Sequence, residues 1–327
     1  MSKGRDTGFR IDFIIKPIAF DEKEHIVRFE VVPDPRRYEW QQVEGKKRLY
    51  DKLDKLLFPE DVLERCMEAM KDKPLTFEKQ EIDDAKSYVG SRRSRVENLL
   101  EGKADPPTFS DPSDEFLRSL NNGQHDFVIL SLDLCGSTKL ATTLSSTTYV
   151  RVIETALFEI SAAAPLFHGH VLKYTGDGII AYFPAPSFIR KNDLGLDAAM
   201  TMSRLIYEAI NPALAARGWP ILGARIGLDS GSADVVEIGS PSTKQQKDII
   251  GRIVSLACKI QAVAPDGGIA MGATTYRHLY TSWRLGCEEY TPSKPWPYTT
   301  PDGDAYKLYV VTAGWQDYNP DTVRTER

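Results

Sequence analysis

The feature that most constrains the fold of this chain is a run from Phe127 to Asp133, apolar almost throughout and ending in a carboxylate. A run of that length and composition reads as a central strand covered on both faces. Behind it Leu134-Cys135-Gly136-Ser137-Thr138 supplies a small-residue turn that opens a helix. Val171 to Tyr174 and Ile179 to Phe183 flank Gly176-Asp177-Gly178, a hairpin turn of two residues. Between strand and hairpin, Tyr149, Ile153, Ala156, Leu157 and Ile160 share one side of a helix over 149–163. A further helix carrying Leu194, Ala198, Met202, Leu205 and Ile206 precedes a strand at Ala224–Asp229. Gly231 is expected to turn that strand into a second one, Ala233–Ile238. A helix over 251–264 and strands near Ile269 and over 306–311 complete an α/β (α+β) unit, an antiparallel-rich sheet with helices packed on it.

The region before this unit is smaller and also α+β. Phe9, Ile11, Phe13 and Ile15 alternate with polar residues, as do Val27, Phe29 and Val31, which predicts a hairpin. Leu49, Leu53, Leu56 and Leu57 fall on one helical face, as do Val62, Cys66, Met67 and Met70. A third helix is expected over 83–100. Turn formers crowd Pro106 to Ser113, so the expected organisation is an N-terminal region over 1–105, a linker over 106–120, a catalytic domain over 121–313 and a tail over 314–327.

Two carboxylates carry the chemistry. Asp133 ends a strand beside a turn whose free amides aim at a phosphate, a position where a divalent cation can be held. Taken singly, Asp133 reads as well as a helix cap, and Asp177-Gly178 as a turn dipeptide. On adjacent strand ends, however, the two hold a pair of metal ions roughly 4 Å apart, as in-line phosphoryl chemistry requires.

Four segments in this order resemble the class III adenylate and guanylate cyclases. They are Asp133-Leu134-Cys135-Gly136-Ser137-Thr138, Lys173-Tyr174-Thr175-Gly176-Asp177, Ala224 to Gly231, and Lys247 to Lys259. The resemblance implies the family's ferredoxin-like catalytic fold and a reaction that turns a nucleoside triphosphate into a 3′,5′-cyclic monophosphate and pyrophosphate. It implies two Mg2+ or Mn2+ ions on Asp133, Asp177 and the Leu134 carbonyl, and Arg225 on the triphosphate. Cys135, Gly136, Ser137 and Thr138 line the phosphates, while Lys173 and Asp248 read the base. Ser255 and Lys259 stand where the family has an asparagine and an arginine that support the transition state. Active sites shared across a symmetric homodimer are expected too.

Lysine offers a point charge where arginine offers a planar fork, and Ser255 is shorter than asparagine. Lys173 only donates and Asp248 only accepts, so the pair fits adenine or cytosine in one order and uracil or guanine in the other. A narrower resemblance favours a pyrimidine. A short cyclase with altered transition-state positions is similar to the pyrimidine cyclases of bacterial Pycsar anti-phage systems, whose cyclic UMP or cyclic CMP activates a separate effector. Cyclic UMP is the expected product, with cyclic AMP the alternative and an inactive cyclase-like binding module the third reading.

A net charge of −5 argues against a duplex-binding partner. Cys66, Cys135, Cys258 and Cys287 form no CxxC pair, and no apolar run approaches the ~20 residues a membrane helix needs. A cytoplasmic protein is expected. The His168/His170 pair is expected at a strand edge facing solvent, and Arg92, Arg93 and Arg95 on a solvated helix face.

Overall fold

The computed structural model describes residues 11–312 apart from 21–25, 60, 66–81, 83, 105–111, 185–187, 241 and 243. Packing divides the chain into two compact units, Met1–Lys79 with Tyr280–Ser282, and Gln80–Leu279 with Trp283–Arg327.

In the first unit the alternating runs form a hairpin of β1 (Phe13–Phe20) and β2 (Ile26–Pro33), antiparallel as predicted. Its register shifts beside Pro17, which has no N–H to give to the ladder. The helix expected from Leu49, Leu53, Leu56 and Leu57 is absent. A three-stranded antiparallel sheet stands there, β3 (Tyr38–Val43), β4 (Lys46–Asp51) and β5 (Leu56–Phe58). The cause is local: Oδ1 of Asp51 accepts the N–H groups of Leu53 and Asp54 at 2.9 and 3.1 Å, and this side-chain turn reverses the chain. Leu49 is buried, whereas Leu56 and Leu57 are exposed. Buried Arg37 ties the turn down through Asp51 at 2.9 Å and Asp54 at 3.0 Å. The helix expected around Val62 runs into Cys66, Met67 and Met70, which lie outside the described residues.

The second unit begins with α1 (Ala85–Leu100), capped by Asp84, which accepts from the Lys86 and Ser87 amides. Val89, Val96 and Leu100 of this helix enter the main hydrophobic core, so packing places α1 with the second unit although it precedes the Pro-rich segment at 106. The three arginines of α1 are not a solvated face. Arg92 gives Nε and Nη2 to fully buried Glu159 at 2.6 and 3.0 Å, Arg95 lies 3.6 Å from the same carboxylate, and Arg93 donates to the Glu208 carbonyl. Leaving Glu159 buried and unpaired would be costly, and this need fixes the helix in place.

An eight-stranded sheet organises the unit, in the order β12-β13-β11-β9-β6-β8-β7 with β10 on the far half of β9. The strands are β6 (Gly123–Cys135), β7 (His170–Tyr174), β8 (Gly178–Phe183), β9 (Gly223–Ser240), β10 (Lys244–Ile250), β11 (Ile269–Gly272), β12 (Cys287–Tyr290) and β13 (Leu308–Val311). β11 runs parallel to β9; the other pairs are antiparallel. Val128, Leu130, Leu132 and Leu134 of β6 face a core filled from α1, α4 (Ser146–Ser161), α5 (Phe188–Arg204) and α6 (Asn211–Ala215). Phe127 and Ile129 face the other side, against Leu117 of α2 (Pro112–Ser119) and Ile253 and Ala257 of α7 (Arg252–Val263). A strand buried on both faces needs the continuous apolar run that β6 has.

The strand expected to turn at Gly231 does not turn. β9 is one 18-residue strand, held straight through Gly231 by pairing with β6 from Cys135↔Gly223 to Gly123↔Val235. At its near end, α7 lies so close that a Cβ on Gly227 would meet the backbone N of Gln261 and the carbonyl O of Ala257.

Candidate active site

Asp133 sits on β6 directly opposite Gly178 of β8 on one side and Arg225 of β9 on the other. The hairpin tip, Thr175-Gly176-Asp177, is three residues long, one more than expected. It is drawn onto β6 by backbone, because the Leu134 amide donates to the Asp177 carbonyl at 3.3 Å. Only glycine fits at 178, where a Cβ would fall on the Leu132 carbonyl. The tip therefore brings Asp177 beside Asp133.

Asp133 does not cap the next helix. α3 (Ser137–Thr143) starts at Gly136, with no side-chain hydrogen bond at its cap. Ser137 is buried and its hydroxyl donates to Oδ2 of Asp177, while Gly136 and Thr138 are exposed. The Asp133 carboxyl is held above its usual range, first by burial and then by the negative charge of Asp177, with Arg225 opposing. Cys135 is a half-buried free thiol, raised by the same burial.

Arg225 gives Nε to Oδ1 of Asp266 at 2.8 Å, and Nη2 to the same oxygen. Asp266 carried no motif signal; its role rests on the turn after α7 returning it to the base of β9. Lys173 lies farther along the hairpin, its Nζ 2.5 Å from Oδ2 of Asp248. Asp248 is buried on β10 and its Oδ1 accepts the Ile249 amide at 2.8 Å. Next to Lys173, the Tyr174 ring is 57% exposed and takes no part in the core. Ser255 and Lys259 lie one turn apart on the exposed side of α7. Lys294 reaches the Ala262 carbonyl at 3.5 Å. His170 is no solvent-facing edge residue: it stacks on Phe116 at 4.3 Å and on Tyr182 at 5.2 Å.

The residues at the strand ends fit divalent metal ions. Two carboxylates and a backbone carbonyl are hard oxygen donors, and burial, with the neighbouring Asp177 charge, raises the Asp133 carboxyl against the pull of Arg225. Among the described residues no cluster of three or more His, Cys, Asp or Glu side chains stands ready for a metal, so the substrate's phosphates would complete the coordination.

Residues 121–295 match the family model of the adenylate and guanylate cyclase catalytic domain. The chain belongs to this family, the class III nucleotidyl cyclases, which are phosphorus–oxygen lyases. Its fold is similar to that of the adenylyl cyclase CyaB from P. aeruginosa, with TM-score 0.53 and 21% identity over 61% of this chain and 100% of that one. It is similar also to the guanylyl cyclase Cya2, with TM-score 0.51 and 22% identity over 61% and 98%. No curated protein matches the chain in sequence. No helix among the described residues is long and apolar enough to cross a membrane.

Proposed function

We propose that this cyclase acts on UTP by preference, releasing cyclic UMP and pyrophosphate, with Mg2+ or Mn2+ held by Asp133, Asp177 and the Leu134 carbonyl. The proposal extends to a cytoplasmic homodimer in bacterial anti-phage signalling, its product read by a separate cyclic-nucleotide-binding effector. Support for the chemistry comes above all from the juxtaposition of Asp133 and Asp177 beside Arg225. Bound divalent cations would supply charge neutralisation and a lower pKa for the ribose 3′-hydroxyl. The chain's own part is to hold the triphosphate through Arg225 and the 135–138 turn, so that the 3′ oxygen meets the α-phosphorus in line with the departing pyrophosphate. Ser255 and Lys259, exposed on α7, are proposed to serve a site completed by the second subunit.

Support for a pyrimidine comes from Tyr174, which stands beside a Lys173–Asp248 pair that does not choose a base by itself. Uracil offers an acceptor next to a donor, which a lysine and an aspartate match. The exposed Tyr174 ring is free to narrow the base pocket, and size exclusion rejects a large base more firmly than a small one. The 2.5 Å Lys173–Asp248 pair equally favours a second reading, an adenylate cyclase. Incubation with each of the four ribonucleoside triphosphates and Mn2+, followed by chromatography of the products, tests both. Cyclic UMP as the main product supports the proposal; cyclic AMP alone overturns the base assignment; no product overturns the catalytic one and leaves a binding module.

A further inference from the structure

The helix α7 is clasped from outside by the segment that joins β12 to β13. Tyr290 gives its hydroxyl to the Val263 carbonyl at 2.9 Å, at the C-terminal end of the helix. Lys294 reaches the Ala262 carbonyl, and the Thr299 carbonyl accepts from Nη2 of Arg252 at the other end. The segment thus runs the length of the helix, about 18 Å for its 12 residues. Trp296, Tyr298 and Tyr290 pack with Leu256, Ile260 and Val263. α7 is therefore held between sheet and clasp, and the side that remains free carries Ser255 and Lys259.

The clasp returns to the sheet at Tyr306. Its backbone N–H donates to the Tyr298 carbonyl at 2.9 Å, and its own carbonyl accepts Nε1 of Trp296 at 2.7 Å. Its hydroxyl passes under the clasp and donates to Oδ1 of Asp229 at 2.5 Å. Asp229 is a β9 residue buried to 1% exposure, and Gly272 on β11 has no Cβ that would fill the space these two atoms occupy. The Arg252 guanidinium lies 5.3 Å over the Tyr306 ring. A carboxylate in an apolar interior is costly, and nothing in the two-aspartate site uses this one.

We infer that Asp229 and Tyr306 form a buried pin which holds the 291–305 clasp against α7, and that through it they are positioning residues for Ser255 and Lys259. The positioning role rests on the reading of those two residues given above; the pin itself does not. Loss of the Tyr306 hydroxyl releases the clasp from the sheet, and α7 then loses one of its two walls.

Hydrogen exchange on the full chain, read by mass spectrometry, tests the pin without reference to activity. Tyr306→Phe keeps the ring and removes the hydroxyl. It is expected to speed exchange about tenfold in 291–305 and in α7, while β6 and β8 stay protected. Asp229→Asn, whose amide oxygen still accepts from Tyr306, keeps protection that Asp229→Leu loses. In turnover, Tyr306→Phe should lower kcat about tenfold with KM nearly unchanged. Wild-type exchange in Tyr306→Phe and Asp229→Leu overturns the pin. A loosened clasp with unaltered α7 exchange and unaltered kcat overturns the positioning role. Should the wild-type chain turn over none of the four triphosphates, the proposed function fails, and exchange in 291–305 still decides the pin.

Discussion

Arg225 spends two of its donors, Nε and Nη2, on a single oxygen of Asp266. The arginine stands across from Asp133, on the side where a triphosphate's charge would gather, yet its partner is a side chain 82% exposed on the loop after α7. A phosphate oxygen and Asp266 thus compete for one guanidinium.

Asp266→Ala is accordingly expected to lower KM for the triphosphate two- to fivefold, about what an exposed ion pair of 0.2–1 kcal/mol allows, with kcat little changed. Steady-state kinetics at fixed metal concentration measure it. A higher KM would mean that Asp266 aims the arginine rather than competing for it.

Mn2+ added without nucleotide should raise the melting temperature of the wild-type chain, because the cation offsets the burial and the Asp177 repulsion that disfavour the charged Asp133 carboxylate. Asp133→Ala and Asp177→Ala should lose both this shift and all turnover. Asp133→Asn should melt higher than wild type in the absence of metal, since it removes the repulsion. Equal Mn2+ shifts in all four proteins would dismiss the two carboxylates as metal ligands.

Burial pushes the Asp229 carboxyl from 3.8 up to about 7, with Tyr306 and Arg252 as the ionisable groups that oppose or share its charge. Between those values the folded chain keeps a proton that the unfolded chain has released. Stability from this group therefore falls as pH rises from about 4 to about 7 and levels off above. Asp229→Asn should lack that slope, so its advantage over wild type grows to on the order of 2–4 kcal/mol by neutral pH. Urea melts across that range read the difference; parallel curves for the two proteins would refute the assignment.

Gly227→Ala places a methyl group against the backbone of Gln261 and Ala257, neither of which can swing aside as a side chain would. The helix must retreat from β9, at a cost of about 1–3 kcal/mol. Because α7 carries Ser255 and Lys259, kcat should fall with it. A variant as stable and as active as wild type would show that α7 tolerates a shift here.

The strand ends that bring Asp133 and Asp177 together were legible because their signals are local. The apolar run of β6 ends at Asp133, the glycine-bounded tip carries Asp177, and each motif lies within a few consecutive residues, where periodicity and turn chemistry act. The same locality misled at Leu49–Leu57, where helical spacing lost to the Asp51 turn, and at Gly231, where a turn former lost to thirteen residues of pairing with β6. The polar stretch Lys244–Ile250 gave no strand signal; it is β10 because β11 pairs with β9 only at Ile226–Leu228 and leaves the rest of that edge, opposite β6, open to it.

What the sequence by itself determined is therefore a set of candidates, Asp133, Asp177, Arg225, Lys173 and Asp248, and the strands that carry or flank all but the last. Tertiary structure alone decided their second partners. Asp266 for Arg225, Tyr306 for Asp229 and Glu159 for Arg92 stand 41, 77 and 67 residues apart. No local pattern encodes such pairs, since each forms only once sheet and helices have packed and a buried or crowded charge requires a partner from whatever element lies across from it.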